Sequence, residues 1–537
     1  MRSAPPRRKA ISRVLLLALP ITLYVCLAAR LIRANVGYQM DEAIYVESAV
    51  YMLHGSGEPP FMHDAASWTS APGRRWPLMI IPYVGATKAY VALPFFAAFG
   101  TSAAVARCVG VLLGSLGIAG LVVLIASEIG STVGLIVGIV LAIHPSYLDF
   151  TVFDNGGVSV WMAGMGLLAL AMTLYLRRRS TLSALLLGTA AGLGVWARAN
   201  LLWLIAAVVL ASLFIWGRRA IAPRHHITAM LVGSFLGALP LLLYEVNSQL
   251  ATFRFMSSTR QALSPQTIAQ RFRALDELMI SDGEQRGIWS GPALTHWEMR
   301  IGAALLLLVV CSLLIRIWPG DSETARWRRA YALAAVLLTA IMVTSSLGIS
   351  QHHLVAVLPL ACAALTILSV ELMRRFRRSV PMLGGVAVGL GVLFLSWDVR
   401  IERGLLRTGG KWYWSSAIGD VEEYLRSRPV QPSRLKILDW GFQNNLYVIS
   451  GGSVYGTELF WAGTETLSPR GIPWRAEIAD GGAFLLYWFD KGSSRLSPAT
   501  KGFRQALEEY GGPRRDTTFF DRSGSPVVVL VEIRPAH

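Results

Sequence analysis

A few charged and imidazole side chains interrupt an otherwise apolar sequence. The adjacent acidic residues Asp41 and Glu42 stand in GYQMDEAIYVES, soon after the first long apolar run. The others lie far apart along the chain, and they are Lys88, Asp154, Arg198, His352 and His353. A carboxylate can take a proton from an attacking hydroxyl, while arginine offers an anion a planar fork and lysine a point charge. These residue types suit base-assisted transfer at an anionic centre if the fold brings them together.

The composition indicates a membrane protein. Of the 537 residues, 53% are hydrophobic and only 15% are charged, and the mean hydropathy is +0.48. Apolar runs near the roughly twenty residues that cross a hydrocarbon core recur from residue 14 to about residue 397. The net charge of +17 does not indicate a nucleic-acid partner, because the basic residues form short clusters between apolar runs, where cytoplasmic retention predicts them. Four cysteines lie in apolar runs without disulfide or zinc spacing and are predicted to be inert packing residues, namely Cys26, Cys108, Cys311 and Cys362.

The basic clusters determine the predicted topology. They lie at residues 7–13, 177–179, 218–224, 326–329 and 374–378, and all are assigned to the cytoplasm. We expect the first apolar run to be retained as an anchor, because it is long for a signal peptide and is closely followed by Arg30 and Arg33. The result is about eleven spans, with the N-terminus inside. They are placed at 14–32, 103–126, 131–147, 157–176, 181–197, 199–216, 227–245, 301–317, 331–349, 352–373 and 380–397.

Residues 34–100 are predicted to form one large outer loop with two or three interfacial helices. Counting the apolar segment 77–100 as a crossing would put every later basic cluster on the wrong side of the membrane. Its Pro77, Pro82 and Pro94 suit a broken helix that lies along the interface or re-enters it. Earlier in the loop, an apolar stripe at helical spacing predicts a helix on the membrane surface. The stripe consists of Met40, Ala43, Val46, Val50 and Leu53.

With this topology, the charged groups that cytoplasmic retention does not explain gather at the outer face. They include Asp41, Glu42, Lys88, Arg198, His352 and His353, and Asp149 and Asp154 in the loop HPSYLDFTVFDNGG. Charged groups that are costly to hold near hydrocarbon are candidates for function.

The chain is predicted to divide into a basic cytoplasmic tail at 1–13, a transmembrane domain at 14–397 and an outer α/β domain at 398–537. In the last part, strand-like runs such as LKILDWG and VVVLVEIR alternate with helix-like runs such as GDVEEYLRSR.

In their order and sidedness, these motifs resemble the GT-C membrane glycosyltransferases, especially the protein O-mannosyltransferases (family 39) and the lipid A aminoarabinose transferases (family 83). DEAIYVESAVYMLHG resembles their Asp-Glu helix after the first span. ATKAYVALPFFAAFGTSAAVARCVGVLLG resembles the segment in which a lysine precedes an aromatic-rich helix, Phe-Gly and an arginine. The Asp154 loop resembles their second acidic outer loop. The resemblance covers residues 14–217 and extends to the later spans by architecture, although Lys88 is followed by Ala-Tyr and not by the Pro-Pro of many bacterial relatives.

The resemblance implies a GT-C-like polytopic α-helical protein of the bacterial inner membrane. It would transfer a sugar from a polyprenyl-phosphate donor to a lipid, glycan or protein acceptor on the extracytoplasmic face. In an inverting displacement, Asp41 and Glu42 would supply the base. Lys88, Asp154, Arg198, His352 and His353 would bind donor or acceptor, and Tyr45 and Trp68 could stack on sugar. No cofactor is certain, and a divalent metal ion stays open.

Each side chain also has a structural explanation. Asp41 can cap its helix, Glu42 can be a solvated first-turn carboxylate, and Asp154 can close a turn. Lys88 can snorkel to the interface, and Arg198 can anchor a helix end. The histidines can be ordinary interfacial polar residues.

Two other functions stay open at this point. A membrane transporter or lipid flippase should show repeated halves and broken spans near the bilayer midplane, and the sequence shows no internal repeat. A non-catalytic scaffold that presents the α/β domain would leave the outer acidic residues without a role.

Overall fold

The computed structural model describes residues 7–55, 59, 61, 65–71, 73–314, 322–376, 378, 380–428, 430–459, 473–487 and 497–534. This part of the chain is mainly helical. Its helices are α1 (Arg7–Arg33), α2 (Met40–Ala43), α3 (Glu47–His54), α4 (Thr87–Phe99), α5 (Ala103–Glu128), α6 (Ser131–Ala142), α7 (Pro145–Val152), α8 (Val158–Arg178), α9 (Thr181–Ala197), α10 (Leu201–Trp216), α11 (Arg224–Gly237), α12 (Leu239–Asn247), α13 (Ala251–Ser258), α14 (Pro265–Leu278), α15 (Arg286–Trp289), α16 (His296–Leu314), α17 (Glu323–Val343), α18 (Gln351–Leu354), α19 (Leu358–Arg375), α20 (Val380–Thr408), α21 (Ala417–Ser427), α22 (Gln443–Ile449), α23 (Trp474–Ala479) and α24 (Ser497–Tyr510).

Each of the eleven predicted spans overlaps a helical segment, but α17 ends at Val343, six residues before the predicted end of its span, and residues 315–317 of another span lie outside the described residues. By length and apolar composition, seven helices of the described chain can cross a membrane, or nine if the bent pairs α6–α7 and α11–α12 each form one span. Helix α9 is shorter, with 17 residues, and α17 carries Arg326, Arg328 and Arg329 near its start. The structure is therefore that of a multi-pass membrane protein, and the number of crossings stays a prediction.

The segment 34–100 contains helices α2, α3 and α4 together with two short antiparallel hairpins. The first pairs β1 (Trp68–Ala71) with β2 (Arg74–Pro77), and the second pairs β3 (Met79–Ile81) with β4 (Val84–Gly85). The prediction of a broken helix over 77–100 is wrong for the first part of this range, which forms the second hairpin. Pro77 and Pro82 disfavour a continuous helix there, because proline lacks the backbone donor and clashes with the preceding turn.

Close helix packing fixes the position of α5, the helix that follows this segment. Helices α5 and α8 approach so closely that Gly120 lies against the backbone of Gly166, where neither has room for a Cβ atom. Small residues allow such backbone approach between membrane helices. The contact fixes α5, which carries Arg107, relative to α8 and the Asp154 loop before it.

The cysteines differ from one another in their surroundings. Cys362 is buried and Cys311 is partly buried, whereas Cys26 and Cys108 are exposed. The prediction that all four are packing residues is wrong for Cys26 and Cys108, because one face of each of their helices is not covered by protein.

The carboxyl-terminal residues form a five-stranded sheet between two layers of helices. The strands are β5 (Leu435–Ile437), β6 (Thr457–Glu458), β7 (Gly482–Tyr487), β8 (Arg514–Phe520) and β9 (Pro526–Ile533), in the order β6-β5-β7-β9-β8. Strand β5 is parallel to β6 and β7, and β9 is antiparallel to β7 and β8. Alternate residues of β7 face opposite layers, so that Leu485 packs with α21 and α22 and Phe484 packs with α23 and α24. Helix α20 continues to Thr408, past the predicted domain boundary at 397.

Candidate active site

Asp41 lies on α2, a helical turn of four residues. The N-cap of this turn is Gln39, whose side chain accepts a hydrogen bond from the Asp41 backbone N–H. Asp41 is therefore not the capping residue. Its side chain is partly buried, whereas that of the neighbouring Glu42 is fully buried.

Glu42 forms a buried ion pair with Arg107 of α5. The guanidinium donates from Nε and Nη2 to the two carboxylate oxygens, at 2.8 Å each. Arg107 also donates to the carbonyl oxygens of Val36 (3.0 Å) and Gly37 (2.8 Å). Burial raises the pKa of Glu42, and Arg107 limits that rise. Because both oxygens bind Arg107, the geometry gives Glu42 a positioning role, and it is not the solvated carboxylate that the sequence allowed.

Lys88 and Asp154 form a second buried ion pair, between α4 and the loop before α8. The Lys88 Nζ lies 2.5 Å from Oδ2 of Asp154, and the other oxygen accepts from the Ser159 N–H at 2.6 Å. Gly156 and Gly157 follow with φ of +72° and +68°, a conformation that glycine adopts readily. Lys88 therefore does not snorkel to an interface, and Asp154 combines an ion pair with a turn.

Arg198 differs from the other basic residues of the site. It follows α9, and its side chain is only 1% exposed. Among the described residues, its Nε and Nη2 have no hydrogen-bond partner. Burial lowers the pKa of Arg198, but arginine titrates so far above neutrality that it stays charged. A buried guanidinium with two unsatisfied donor atoms is costly, so this side chain is suited to receive an anion.

Tyr45 and Tyr83 both interact electrostatically with Asp41 and Arg198. Burial raises the pKa of Tyr45 well above its usual value, and Tyr83 and Asp41 raise it further while Arg198 opposes the rise. Burial also raises the pKa of Tyr83, which responds to Arg198 and Asp41 in the same way. The two hydroxyls are thus within electrostatic reach of both charged groups.

Tyr83 was missed by the sequence analysis. It lies in the turn between β3 and β4, and its carbonyl oxygen accepts from the Ala199 N–H at 3.0 Å. Its ring stacks on Phe255 with centroids 5.4 Å apart, and the ring of His353 lies 6.2 Å away. In the sequence, Tyr83 is marked only by its position after Pro82, and a tyrosine beside a proline is as consistent with a turn as with a functional site.

The two histidines lie beside the Asp154 loop and Tyr83. His352 packs so closely on Gly156 that a Cβ atom there would clash with the imidazole. His353 accepts or donates a 2.9 Å hydrogen bond between Nδ1 and the Ser350 hydroxyl. Since Gly157 packs near the Tyr45 ring, the loop that carries Asp154 joins His352 to the Asp41 segment.

The structure thus brings Asp41, Lys88, Asp154, Arg198, His352 and His353 around Tyr45 and Tyr83. Other candidates lie elsewhere. Trp68 packs on Tyr51 and Phe61, with ring centroids 5.4 Å and 6.1 Å away. Asp149 lies on α7 and is fully buried. Within the described ranges, no three His, Cys, Asp or Glu side chains are arranged to hold a metal ion.

The similarity of this chain to known proteins is found in structure and not in sequence. No family model matches the chain, and no curated protein matches it in sequence. It aligns with ArnT from Cupriavidus metallidurans bound to undecaprenyl phosphate at 13% identity, over 96% of this chain and 97% of that one, with a TM-score of 0.54. It aligns with the apo state of that ArnT at 14% identity, over 95% of this chain and 97% of that one, with a TM-score of 0.56.

A third solved structure is an oligosaccharyltransferase from Archaeoglobus fulgidus in complex with zinc and sulfate. It aligns at 13% identity over 81% of this chain and 62% of that one, with a TM-score of 0.47. The two ArnT alignments show that this chain shares the fold of that ArnT over nearly its whole length, so the expected resemblance to the lipid A aminoarabinose transferases is confirmed for the fold.

Proposed function

We propose that this chain is an integral-membrane glycosyltransferase of the bacterial inner membrane. It transfers a sugar from a polyprenyl phosphate to an acceptor hydroxyl at the extracytoplasmic face. The observation that carries the proposal is the buried Arg198 guanidinium, whose Nε and Nη2 have no hydrogen-bond partner among the described residues. Tyr45 and Tyr83 interact electrostatically with both Arg198 and Asp41. The fold shared with an ArnT that was solved with undecaprenyl phosphate supports a lipid-linked phosphate as the anion.

The proposed reaction is one displacement at the anomeric carbon. The acceptor oxygen forms a bond to this carbon while the bond from the carbon to the phosphate oxygen breaks. Asp41 takes the proton of the acceptor hydroxyl, and the phosphate leaves with the bonding electrons. Arg198 meets the negative charge that develops on it. Attack opposite the leaving group inverts the anomeric configuration, as in inverting glycoside hydrolysis.

The remaining side chains shape the site in this proposal. Lys88 is committed to Asp154 at 2.5 Å, so Arg198 is the main phosphate ligand and the Lys88–Asp154 pair forms the adjacent wall. His352 and His353 offer ring nitrogens to acceptor hydroxyl groups. Tyr45 and Tyr83 offer hydroxyls to the sugar or the phosphate.

The test uses purified protein in lipid with labelled polyprenyl-phosphate sugars, and it measures acceptor-dependent release of polyprenyl phosphate. Asp41→Asn should lower kcat by about 100-fold or more, since general bases contribute that much. Arg198→Leu should raise the donor KM by roughly 30-fold or more, because the variant loses a buried charge contact. Asp516→Asn and Arg403→Lys, both at exposed positions, are matched controls and should leave both parameters unchanged.

A folded Asp41→Asn variant that releases polyprenyl phosphate at the normal rate would overturn the proposal. So would movement of intact donor across sealed vesicles without release of polyprenyl phosphate, which would instead favour the flippase.

A further inference from the structure

We propose that the carboxyl-terminal α/β domain is a working part of the site, because it holds the turn that carries Asp41. Asn444, Asn445 and Arg522 are the positioning residues. This inference rests on the function proposed above, in which Asp41 is the base. It assigns the domain a role in setting the position of that base relative to Arg198.

Asn445 of α22 holds the chain just before Asp41. Its side chain is fully buried, and Nδ2 donates to the carbonyl oxygen of Tyr38 at 2.9 Å and to that of Gly441 at 2.5 Å. Tyr38 in turn donates from its hydroxyl to the Glu42 carbonyl oxygen at 3.3 Å. One amide group of the α/β domain is thus linked to both ends of the Asp41 turn.

Asn444 holds the chain just after Asp41. Its Nδ2 donates to the carboxylate of Glu47, which lies in the first turn of α3. Burial raises the pKa of Glu47 well above its usual value, and the hydrogen bond from Asn444 opposes that rise. A buried carboxylate with a specific amide partner defines the position of α3 relative to α22.

Arg522 holds the chain where it leaves α1. The guanidinium donates to the carbonyl oxygens of Ala34 (2.6 Å) and Asn35 (2.7 Å). Two residues later, the N–H of Gly37 donates to the Gly409 carbonyl oxygen at 3.2 Å. Gly37 also lies directly against the Ser415 backbone, where no Cβ atom fits. The path from α1 to Asp41 is therefore fixed by residues that follow α20.

The position of Arg198 does not depend on these contacts. A four-residue helical turn is too short to be stable alone, so α2 needs external support from Arg107 and the α/β domain. Arg198 is supported instead by α9 and by the hairpin, through backbone pairing with Val84. Loosening the domain contacts should therefore displace Asp41 while the anion site keeps its geometry. A shift near 1 Å can cost about 100-fold in rate.

The experiment compares Asn445→Ala with the matched control Gln443→Ala. Gln443 lies on the same helix and is also buried, but its Oε1 accepts from the Gly456 N–H at 2.9 Å, within the α/β domain. We expect Asn445→Ala to lower kcat by about tenfold or more with little change in the donor KM. Gln443→Ala should lower the unfolding temperature with little effect on kcat.

Arg522 provides a second test if Asn445→Ala fails to fold. Arg522→Gln should lower kcat in the same way, and Arg522→Lys should restore part of it, because lysine keeps the charge and one donor nitrogen in place of two. The inference is overturned if both Asn445→Ala and Arg522→Gln keep the normal kcat. It is also overturned if Asn445→Ala raises the donor KM by as large a factor as it lowers kcat, because the change would then affect donor binding as well as Asp41.

The double variant Asp41→Asn/Asn445→Ala separates the two proposals. If Asn445 acts through Asp41, the second change should add little to the first. Fully multiplicative losses would overturn the positioning role. An active Asp41→Asn variant would instead overturn the proposed function, whereas an inactive one beside a fully active Asn445→Ala would overturn only this inference.

Discussion

The two buried arginines of the site have opposite surroundings. Arg107 donates to Glu42 and to two backbone carbonyl groups, whereas Arg198 keeps two unpaired donor atoms among the described residues. A satisfied buried charge rigidifies the structure around it, while an unsatisfied one favours binding of an opposite charge. On the function proposed above, this contrast makes Arg107 a structural residue and Arg198 a substrate ligand.

The Glu42–Arg107 pair gives a stability prediction. Glu42→Gln should reduce the free energy of unfolding by roughly 3–5 kcal/mol, because it leaves the Arg107 charge buried without a counter-charge. The measurement is thermal unfolding of the purified protein in detergent. The matched control is Glu402→Gln opposite Arg30, whose side chain is 47% exposed, so the change there should cost only about 1 kcal/mol or less. Equal effects in the two variants would contradict the assigned role of Glu42.

The sequence identified most charged residues of the site but not their partners. Asp41, Lys88, Asp154 and Arg198 stood out because charged groups are rare at the ends of apolar runs. Their pairing depends on contacts between residues far apart in sequence, such as Lys88 with Asp154. Tyr83 could not be identified, since an aromatic residue in an apolar segment is common at membrane interfaces.

Among the secondary-structure elements, the second hairpin (β3–β4) positions two residues of the candidate site. Strands β3 and β4 present Tyr83, and β4 pairs with the backbone at Arg198. The apolar run around them has no period that distinguishes a short strand from a helix, so the sequence predicted a broken helix here. The long helices were predictable because runs near twenty apolar residues have few other structures available.

The α5–α8 contact gives a prediction for helix packing. Gly166→Ala should destabilise the protein by about 1–3 kcal/mol, because its Cβ atom would meet the backbone at Leu116 and overpack the interface. The measurement is again the unfolding temperature in detergent. Gly389→Ala on α20 is the matched control, since no atom lies within 4 Å of its Cβ position, and it should leave stability unchanged. A neutral Gly166→Ala would show that the two helices can separate without loss.

The predicted sidedness of the molecule in the membrane rests on the basic clusters and is open to direct measurement. In a variant without the four native cysteines, Ser427→Cys on α21 should react in intact cells with a membrane-impermeant thiol reagent. Arg219→Cys, in a basic cluster after α10, should react only after the membrane is opened. Both positions are exposed, so access differs only by the side of the membrane. The opposite labelling pattern would invert the predicted topology and place the candidate site on the cytoplasmic face.

The sequence predicted the order of helices and the change to an α/β arrangement near the end, because both depend on local hydrophobic patterns. It did not predict that α22 packs against the Asp41 segment. That contact includes the hydrogen bond from Asn445 to Tyr38, which are 407 positions apart. Local hydrophobic patterns contain no information about contacts between residues so distant in sequence.

The contacts of Asn445 and Arg522 with the start of the chain have a consequence for biosynthesis. Tyr38 and Asp41 leave the ribosome early, and Asn445 is translated 407 residues after Tyr38. On the positioning role proposed for these groups, a nascent chain already inserted in the bilayer stays inactive until the α/β domain folds back onto the Asp41 segment. Prematurely terminated copies would then occupy the membrane without consuming lipid-linked sugar.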